Sequence, residues 1–300
     1  MKKCVLLILY LFWGTSSICQ TSFLVLDSIS RQPIPYANVW VINKDIGGTT
    51  NESGKLTLDS LDSEDCLLFS AVGYHFKHVP VSPVNTQVLL NPQKSLLEEV
   101  TILETSLDKP LMLGGFKKSE IKKHSFGQPQ FPYILARYFP GENYARQKVV
   151  LLEIRVPTES KIAGAKMNLR IYDKDSSGTP GQLLHQEPIS FEVKKGFAIN
   201  KLELSKYKIV LPPEGFFVAF EWLIIESNKY YYDLLDPETN EIKRKAHLTY
   251  QPKISMIPKA DTTLTFKYAR GSWDRATKKI HLDHGMIIGI PAMEAYVKKE

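Results

Sequence analysis

The chain has 300 residues, with 38 lysines and arginines against 32 aspartates and glutamates, and a formal net charge of +6 at pH 7. This surplus is small and the basic residues are scattered, which argues against a nucleic acid partner. Beyond residue 19, no apolar run reaches the roughly 20 residues that a membrane-spanning helix needs. A chain of this length also exceeds one small hydrophobic core, so we expect two domains.

Residues 1–19 have the pattern of an export signal. Lys2 and Lys3 precede an apolar run at residues 5–13, and small residues lead from this run to Cys19. The run is too short to span a membrane, so cleavage is favoured over a retained anchor. We therefore expect a signal peptide that ends at Cys19 and an exported protein, located in the periplasm, the outer membrane or the cell surface.

The three cysteines bear on anchoring and on disulfides. An acylated Cys19 would attach the protein to a membrane, although Ile18 stands where the lipidation motif prefers a small residue. If Cys4 and Cys19 leave with the signal peptide, Cys66 is the single remaining thiol and no intramolecular disulfide forms. We then expect the hydrophobic core to stabilise the protein without a disulfide.

Residues 20–100 show the pattern of an all-β sandwich: short β-branched or aromatic runs separated by turn residues. Apolar side chains alternate along residues 37–42 and 55–58, so each run can bury one face. Between them, residues 51–54 predict a hairpin turn in which Gly54 adopts a positive φ.

Several sequence motifs follow one another in this first domain. They are Pro33, Pro35-Tyr36-Ala37-Asn38-Val39, Gly48-Thr49-Thr50, Gly54-Lys55-Leu56, residues 67–70, Gly73-Tyr74 and Leu97-Glu98-Glu99-Val100. Together they resemble the carboxypeptidase regulatory-like domain, which is a transthyretin-like, immunoglobulin-like sandwich of seven strands. In relatives this domain accompanies metallocarboxypeptidases or precedes TonB-dependent transporters of the outer membrane. The resemblance therefore implies an accessory module of a Gram-negative envelope.

The rest of the chain departs from both kinds of relative. About 200 residues follow the first domain, which are too few for such a transporter. A zinc peptidase needs histidine and glutamate ligands with a glutamate base, and none of the seven histidines is followed by glutamate three positions later. We therefore predict a protein that is not an enzyme and that uses neither a metal nor another cofactor.

Residues 101–131 are predicted to be a linker, because glycines, prolines and lysines alternate there without a sustained period. Residues 132–300 return to strand patterns and predict a second, jelly-roll-like β-sandwich of eight to ten strands. The predicted strands are residues 150–156, 167–171, 189–193, 198–204, 216–225, 230–234, 264–268 and 286–290.

Two short motifs contain metal-binding residue types. Asp173, Asp175, Ser177 and Gly178 match the first half of a calcium loop, but position twelve is Leu184 in place of a bidentate carboxylate. This pattern favours a polar hairpin.

The second motif is the pair His281 and His284. A spacing of three on a strand sends the two rings to opposite faces, so the pair suits a metal only on a turn or a helix. We expect a loop with exposed histidines there.

Five residues form a tentative ligand surface. Glu221 interrupts an apolar strand, and we expect Arg155 or Arg170 to pair with it; the alternative is an acid of a hydrolase, which needs a second carboxylate. Aromatic rings that can stack on sugars complete the surface: Trp222, Tyr230, Tyr231 and Tyr232.

The sequence thus predicts a non-catalytic binding or accessory protein of the Gram-negative envelope, peripherally associated with the outer membrane. In this interpretation the first domain docks on another envelope protein, and the second presents a surface to a protein or a glycan. Two alternatives stay open: a carbohydrate-binding module, and a hydrolase that uses Glu221.

Overall fold

The computed structural model describes residues 20–82, 86–93, 109–121, 125–127, 130–144, 149–236, 239–259, 264–276, 278–282 and 285–299. The predicted signal peptide, with Cys4 and Cys19, lies outside these residues, as do the motif at 97–100 and His284. Within the described ranges, no helix has the length and apolarity to cross a membrane.

The first sandwich consists of seven strands in two sheets. Their bounds are β1 (Gln20–Asp27), β2 (Asn38–Val41), β3 (Gly47–Thr49), β4 (Lys55–Asp59), β5 (Cys66–Ser70), β6 (Lys77–Pro80) and β7 (Gln87–Leu90). One sheet has the order β4-β1-β7 and the other the order β3-β2-β5-β6. The pairing of β1 with β7 is parallel, and the other pairings are antiparallel. The predicted seven-stranded sandwich is confirmed.

Apolar side chains of both sheets meet in the core of this sandwich. Leu56 and Leu58 point inward from β4, as the alternation of residues 55–58 predicts. Phe23 of β1 and Phe69 of β5 meet edge to face, with ring centroids 5.7 Å apart. Cys66 is free, so this core holds the two sheets together without a disulfide.

The turn at residues 51–54 forms as predicted, but it does not close a hairpin. Asn51 Oδ1 accepts hydrogen bonds from the backbone N–H groups of Ser53 and Lys55, both at 3.0 Å, and Gly54 has a φ of 71°. The flanking strands pair with different neighbours, because β3 joins β2 whereas β4 joins β1. The turn therefore carries the chain from one sheet to the other.

The second sandwich is larger than predicted and is antiparallel throughout its described pairings. Its strands are β8 (Leu111–Gly114), β9 (Ser125–Phe126), β10 (Ile134–Pro140), β11 (Val149–Ser160), β12 (Ala165–Lys174), β13 (Pro180–Leu183), β14 (Ile189–Val193), β15 (Gly196–Glu203), β16 (Val210–Leu211), β17 (Gly215–Trp222), β18 (Lys229–Leu235), β19 (Ile242–Tyr250), β20 (Lys253–Lys259), β21 (Thr265–Ala269), β22 (Ser272–Arg275), β23 (Lys278–Leu282), β24 (Gly285–Pro291) and β25 (Glu294–Lys299). The three 3₁₀ helices in the described part are Gly141–Tyr144, Ser205–Tyr207 and Glu226–Asn228.

Two sheets enclose the core of the second sandwich. One has the order β13-β12-β17-β10-β21-β22, with β14 beside β12. The other has the order β23-β24-β20-β11-β25-β8, with β15 and β16 beside β11 and β9 beside β20. Residues from both sheets form one apolar cluster. The all-β class is confirmed, and the jelly-roll-like prediction is confirmed at the level of two packed antiparallel sheets. The predicted strand count was too low because many of the strands are short.

The predicted linker at residues 101–131 contains two of these short strands, which corrects the sequence interpretation. β8 pairs with β25, and β9 pairs with β20. Ile121, between them, is buried against Ile257 and Ile290. Strands of four and two residues are too short to show alternation, which is why the sequence pattern did not reveal them.

The outer face of sheet β3-β2-β5-β6 packs against the outer face of the β12-β17-β10-β21 sheet. Trp40 and Leu68 of the first sandwich share a buried cluster with Phe217 and Tyr268 of the second. The indole N–H of Trp40 donates to the carbonyl oxygen of Pro132 at 2.8 Å. Both faces of β2 are therefore buried, one in its own core and one at this interface.

Candidate functional site

Glu221 lies on the face of β17 that the first sandwich covers. Strand alternation places it with Phe217 and Ala219, which belong to the interface cluster, whereas Phe220 and Trp222 point into the core of the second sandwich. Its side chain has 0% of its surface exposed. The sequence predicted on which face of the strand Glu221 lies. It did not predict that another domain covers this face.

Arg170 of β12 holds Glu221 in a two-point ion pair. Arg170 Nε donates to Oε2 at 3.0 Å and Nη2 donates to Oε1 at 2.6 Å, while Asn168 Nδ2 donates to Oε2 at 2.9 Å. Burial alone would lower the pKa of Arg170, but the charge and hydrogen bonds of Glu221 raise it above its ordinary value. Of the two predicted partners, Arg170 is confirmed; Arg155 pairs with Glu153 instead.

His185 is another buried titratable group, and it contacts β12, the strand that contains Arg170. Its Nε2 accepts a hydrogen bond from the backbone N–H of Ile171 at 3.2 Å, so Nδ1 carries the proton and donates to the carbonyl oxygen of Glu187 at 2.8 Å. Burial lowers the pKa of His185 to about 4. Both ring nitrogens thus serve backbone groups, and the ring is neutral at pH 7.

This pKa predicts a stability loss in mild acid. The unfolded His185 takes up a proton near its ordinary pKa of about 6.5, whereas the folded ring resists protonation until about pH 4. The contribution is complete above pH 6.5 and is lost as the pH falls to 4, by about 3 kcal/mol in the free energy of unfolding. Urea denaturation between pH 7 and pH 4 measures it.

The matched variant is His185→Gln, whose amide does not titrate in this range and can still pair with both backbone groups. We expect its stability to fall less than that of the wild type between pH 6.5 and 4. Equal losses in the two proteins would contradict a neutral, buried His185.

A cleft of about 440 Å³ opens at the seam between the two sandwiches. Its walls contain residues of the first sandwich, including Tyr36 and Tyr74, and residues of the second, including Asn168 and Ser190. The hydroxyl groups of both tyrosines donate to carboxylates, and Ser190 Oγ donates to Asn168 Oδ1 at 2.6 Å. These four wall groups therefore already have hydrogen-bond partners within the protein.

Strands β18 and β19 form a two-stranded arm, since within the described ranges they pair with each other and with no further strand. Tyr230 and Tyr232 share one face of the arm, with near-parallel rings 6.4 Å apart between centroids. The ring of His247 meets Tyr232 edge to face at 5.3 Å. Tyr231 points to the other face and is 56% exposed. The arm therefore presents aromatic rings on both faces.

The structure separates the five residues of the predicted ligand surface. Trp222 is fully buried: its ring stacks on Tyr133 at 4.4 Å, and its N–H donates to the carbonyl oxygen of Pro252 at 2.6 Å. Glu221 points the opposite way, into the interface. Because β17 lies between β12 and β10 and both of its faces are covered, neither side chain joins the tyrosines. Only Tyr230, Tyr231 and Tyr232 lie on the arm.

The loop after β12 is the polar hairpin that the sequence favoured over a calcium site. Asp175 Oδ1 accepts from the backbone N–H groups of Ser177 and Thr179, at 2.9 and 2.8 Å. Gly178 has a φ of 82°, and β12 and β13 pair on either side. The carboxylate of Asp175 thus closes the turn of its own loop. His284 and the side chain of His281 lie outside the described part of the structure.

The relation of the first sandwich to known proteins follows from its sequence. Residues 24–102 match the family model of the CarboxypepD_reg-like domain. The first sandwich is a CarboxypepD_reg-like domain. The family predicted from the turn motifs is thus confirmed for this part of the chain, and the match ends before the second sandwich begins.

Comparisons of the whole chain add little. A structure of the infectious bursal disease virus Gx strain aligns with 94% of this chain and 66% of its own, at 9% sequence identity and a TM-score of 0.20. A similarity this weak supports no conclusion on fold or function. No curated protein matches the chain.

Proposed function

We propose that the protein is an exported, non-catalytic binding protein of a Gram-negative envelope, and that the β18–β19 arm contacts its partner, a protein or a glycan. The observation that carries the proposal is the arm itself. Tyr231, Leu235 and Ile242 are large apolar side chains that the arm leaves in solvent. Exposed apolar groups gathered on one element are typical of an interaction surface.

The contacts of two buried titratable groups, Glu221 and His185, support a non-catalytic role. A general acid or base must reach the proton that it transfers. Glu221 is instead enclosed with Arg170, and both nitrogens of His185 bind backbone groups. A hydrolase that used Glu221 would turn over its substrate, and the Glu221→Gln variant would not. We expect the wild-type protein itself to show no turnover.

Export and envelope location are parts of the proposal that rest on the sequence. They are supported by the signal-peptide pattern of residues 1–19 and by the envelope proteins in which CarboxypepD_reg-like domains occur. One face of this domain, on β2 and β5, covers the second sandwich. Its other faces remain available for a peripheral contact at the outer membrane.

Site-specific photo-cross-linking in cells tests this proposal. A photoreactive residue is introduced at Tyr231 of the arm or, as the matched control, at Ile29 of the CarboxypepD_reg-like domain, which is 76% exposed. We expect adducts from position 231 and few from position 29. Adducts from position 29 alone would assign docking to the first domain, and adducts from neither position would contradict the proposal.

A carbohydrate-binding module is the second candidate function. It is favoured by one observation, the near-parallel rings of Tyr230 and Tyr232 on a single face of the arm. Aromatic side chains offer a flat apolar surface with a polar edge, which suits the C–H faces and hydroxyl groups of a sugar. The residues around these rings indicate which class of sugar fits.

A further inference from the structure

The face of the arm that contains Tyr230 and Tyr232 also contains a cation. We infer that this face, here called the tyrosine face and made of Tyr230, Tyr232, Arg244 and His247, binds an acidic saccharide. In this complex the tyrosine rings stack on sugar rings while Arg244 pairs with a sugar carboxylate. The inference deepens the proposed function and rests on it, because it assigns a ligand class to the arm.

A β-bulge places the cation beside the rings. Arg244 and His247 are three residues apart, so in a regular strand they would point to opposite faces. The register shifts between Tyr232 and Leu234, where Ala246 has a φ of 48° and its N–H donates to Asp233 Oδ1 at 2.9 Å. The extra residue turns Arg244 to the same side as His247, and bulges often re-aim side chains in this way.

The contacts of these side chains agree with that placement. Arg244 Nη1 lies 3.4 Å from His247 Nδ1, and the His247 ring in turn meets Tyr232. A continuous row therefore runs from two tyrosine rings through an imidazole to a guanidinium. Such a row matches a ligand that repeats rings with an apolar C–H face next to a charged group.

Charge selects an acidic ligand. Arg244 is exposed and forms no ion pair with any carboxylate of the described residues. The nearest acidic residue of the arm in the register, Asp233, accepts the hydrogen bond from Ala246 on the bulge. A guanidinium offers two parallel donors that match a carboxylate, so an anionic group is the expected partner.

The rings favour a saccharide over an acidic peptide. Tyr230 and Tyr232 are near-parallel at 14° with centroids 6.4 Å apart, and aromatic rings of this kind can stack on the C–H face of a sugar. The exposed aliphatic side chains that would receive a protein, Leu235 and Ile242, pair with each other at the far end of the arm. The tyrosine face itself thus offers stacking and charge.

The test measures binding of the full-length protein to polygalacturonate, to its methyl ester and to poly-L-glutamate. The ester keeps the sugar backbone and removes the charge, and the peptide keeps the charge and removes the sugar. We expect polygalacturonate to bind at least about tenfold more tightly than either, and added salt to weaken binding.

Two pairs of variants locate the site. Arg244→Gln and Tyr232→Ala are each expected to weaken binding to polygalacturonate about tenfold. The control for Arg244→Gln is Lys243→Gln, which has the same loss of charge at the neighbouring exposed position and is expected to bind like the wild type. The control for Tyr232→Ala is Tyr232→Phe, which keeps the ring and should retain most of the affinity.

Three results would overturn the inference: equal binding to the ester, equal binding to poly-L-glutamate, or no binding to polygalacturonate. A fourth is equal weakening by a variant and its control. None of these decides the proposed function, since cross-linking from position 231 reports on the arm whatever its partner is.

Discussion

Replacing Trp40 by alanine is expected to lower the free energy of unfolding by about 3–5 kcal/mol, the range for truncation of a buried large aromatic side chain. Trp40 is 1% exposed and meets Tyr268 of the second sandwich edge to face at 5.3 Å. Its truncation removes this contact and the hydrogen bond to Pro132, and it leaves a cavity between the sandwiches. Urea denaturation of wild type and variant gives the difference.

The control for this prediction is Trp40→Phe. Phenylalanine keeps a ring in the interface and gives up the hydrogen bond to Pro132, so a clearly smaller loss is expected, about 1–2 kcal/mol. If Trp40→Ala were as stable as the wild type, the contact between the sandwiches would not contribute to stability, and the covering of Glu221 would lose its support.

Removing one member of the buried ion pair is expected to have an effect of similar size. In the Arg170→Met variant, Glu221 keeps its hydrogen bond from Asn168 but faces an apolar interface without its cation. An uncompensated buried charge destabilises a protein by about 3–5 kcal/mol. Replacing both members, in Arg170→Met with Glu221→Leu, should restore most of the stability because no charge remains to be desolvated.

The double-mutant cycle distinguishes this pair from an exposed one. The control pair, Arg155 and Glu153, is partly exposed, so Arg155→Met is expected to change the free energy of unfolding by only about 0–1 kcal/mol. If the double variant at positions 170 and 221 lost as much as the two single variants together, the two side chains would be energetically independent. That result would contradict a coupled ion pair.

Strand alternation could be read from the sequence, whereas what covers each face could not. The alternation of residues 37–42 assigns Trp40 to the face opposite Val39, and that of residues 216–225 assigns Glu221 to the face with Phe217. Both outer faces are buried because the two sandwiches meet there. The contact between the two sandwiches joins residues that are distant in sequence, so no local sequence pattern predicts it.

The arm shows the same limit at a smaller scale. The sequence predicts a strand at residues 230–234 and groups its three tyrosines on one ligand surface, whereas in the structure Tyr231 points to the face opposite Tyr230 and Tyr232. The stretch from Lys243 to His247 reads only as a basic segment, because the bulge at Ala246 depends on pairing with β18. Arg244 was therefore missed as a neighbour of the tyrosines, and only a predicted hairpin register would have found it.

The proposal that Glu221 has no catalytic role depends on its interface staying closed. Hydrogen–deuterium exchange of the full chain, followed segment by segment in increasing urea, tests this most directly. If the CarboxypepD_reg-like domain and the second sandwich unfold together, the amides of β2 and β5 and those of β12 and β17 exchange with the same free energy of opening. Exchange of β2 and β5 at distinctly lower free energy than β12 and β17 would show that the first sandwich opens by itself, and would contradict a sealed ion pair.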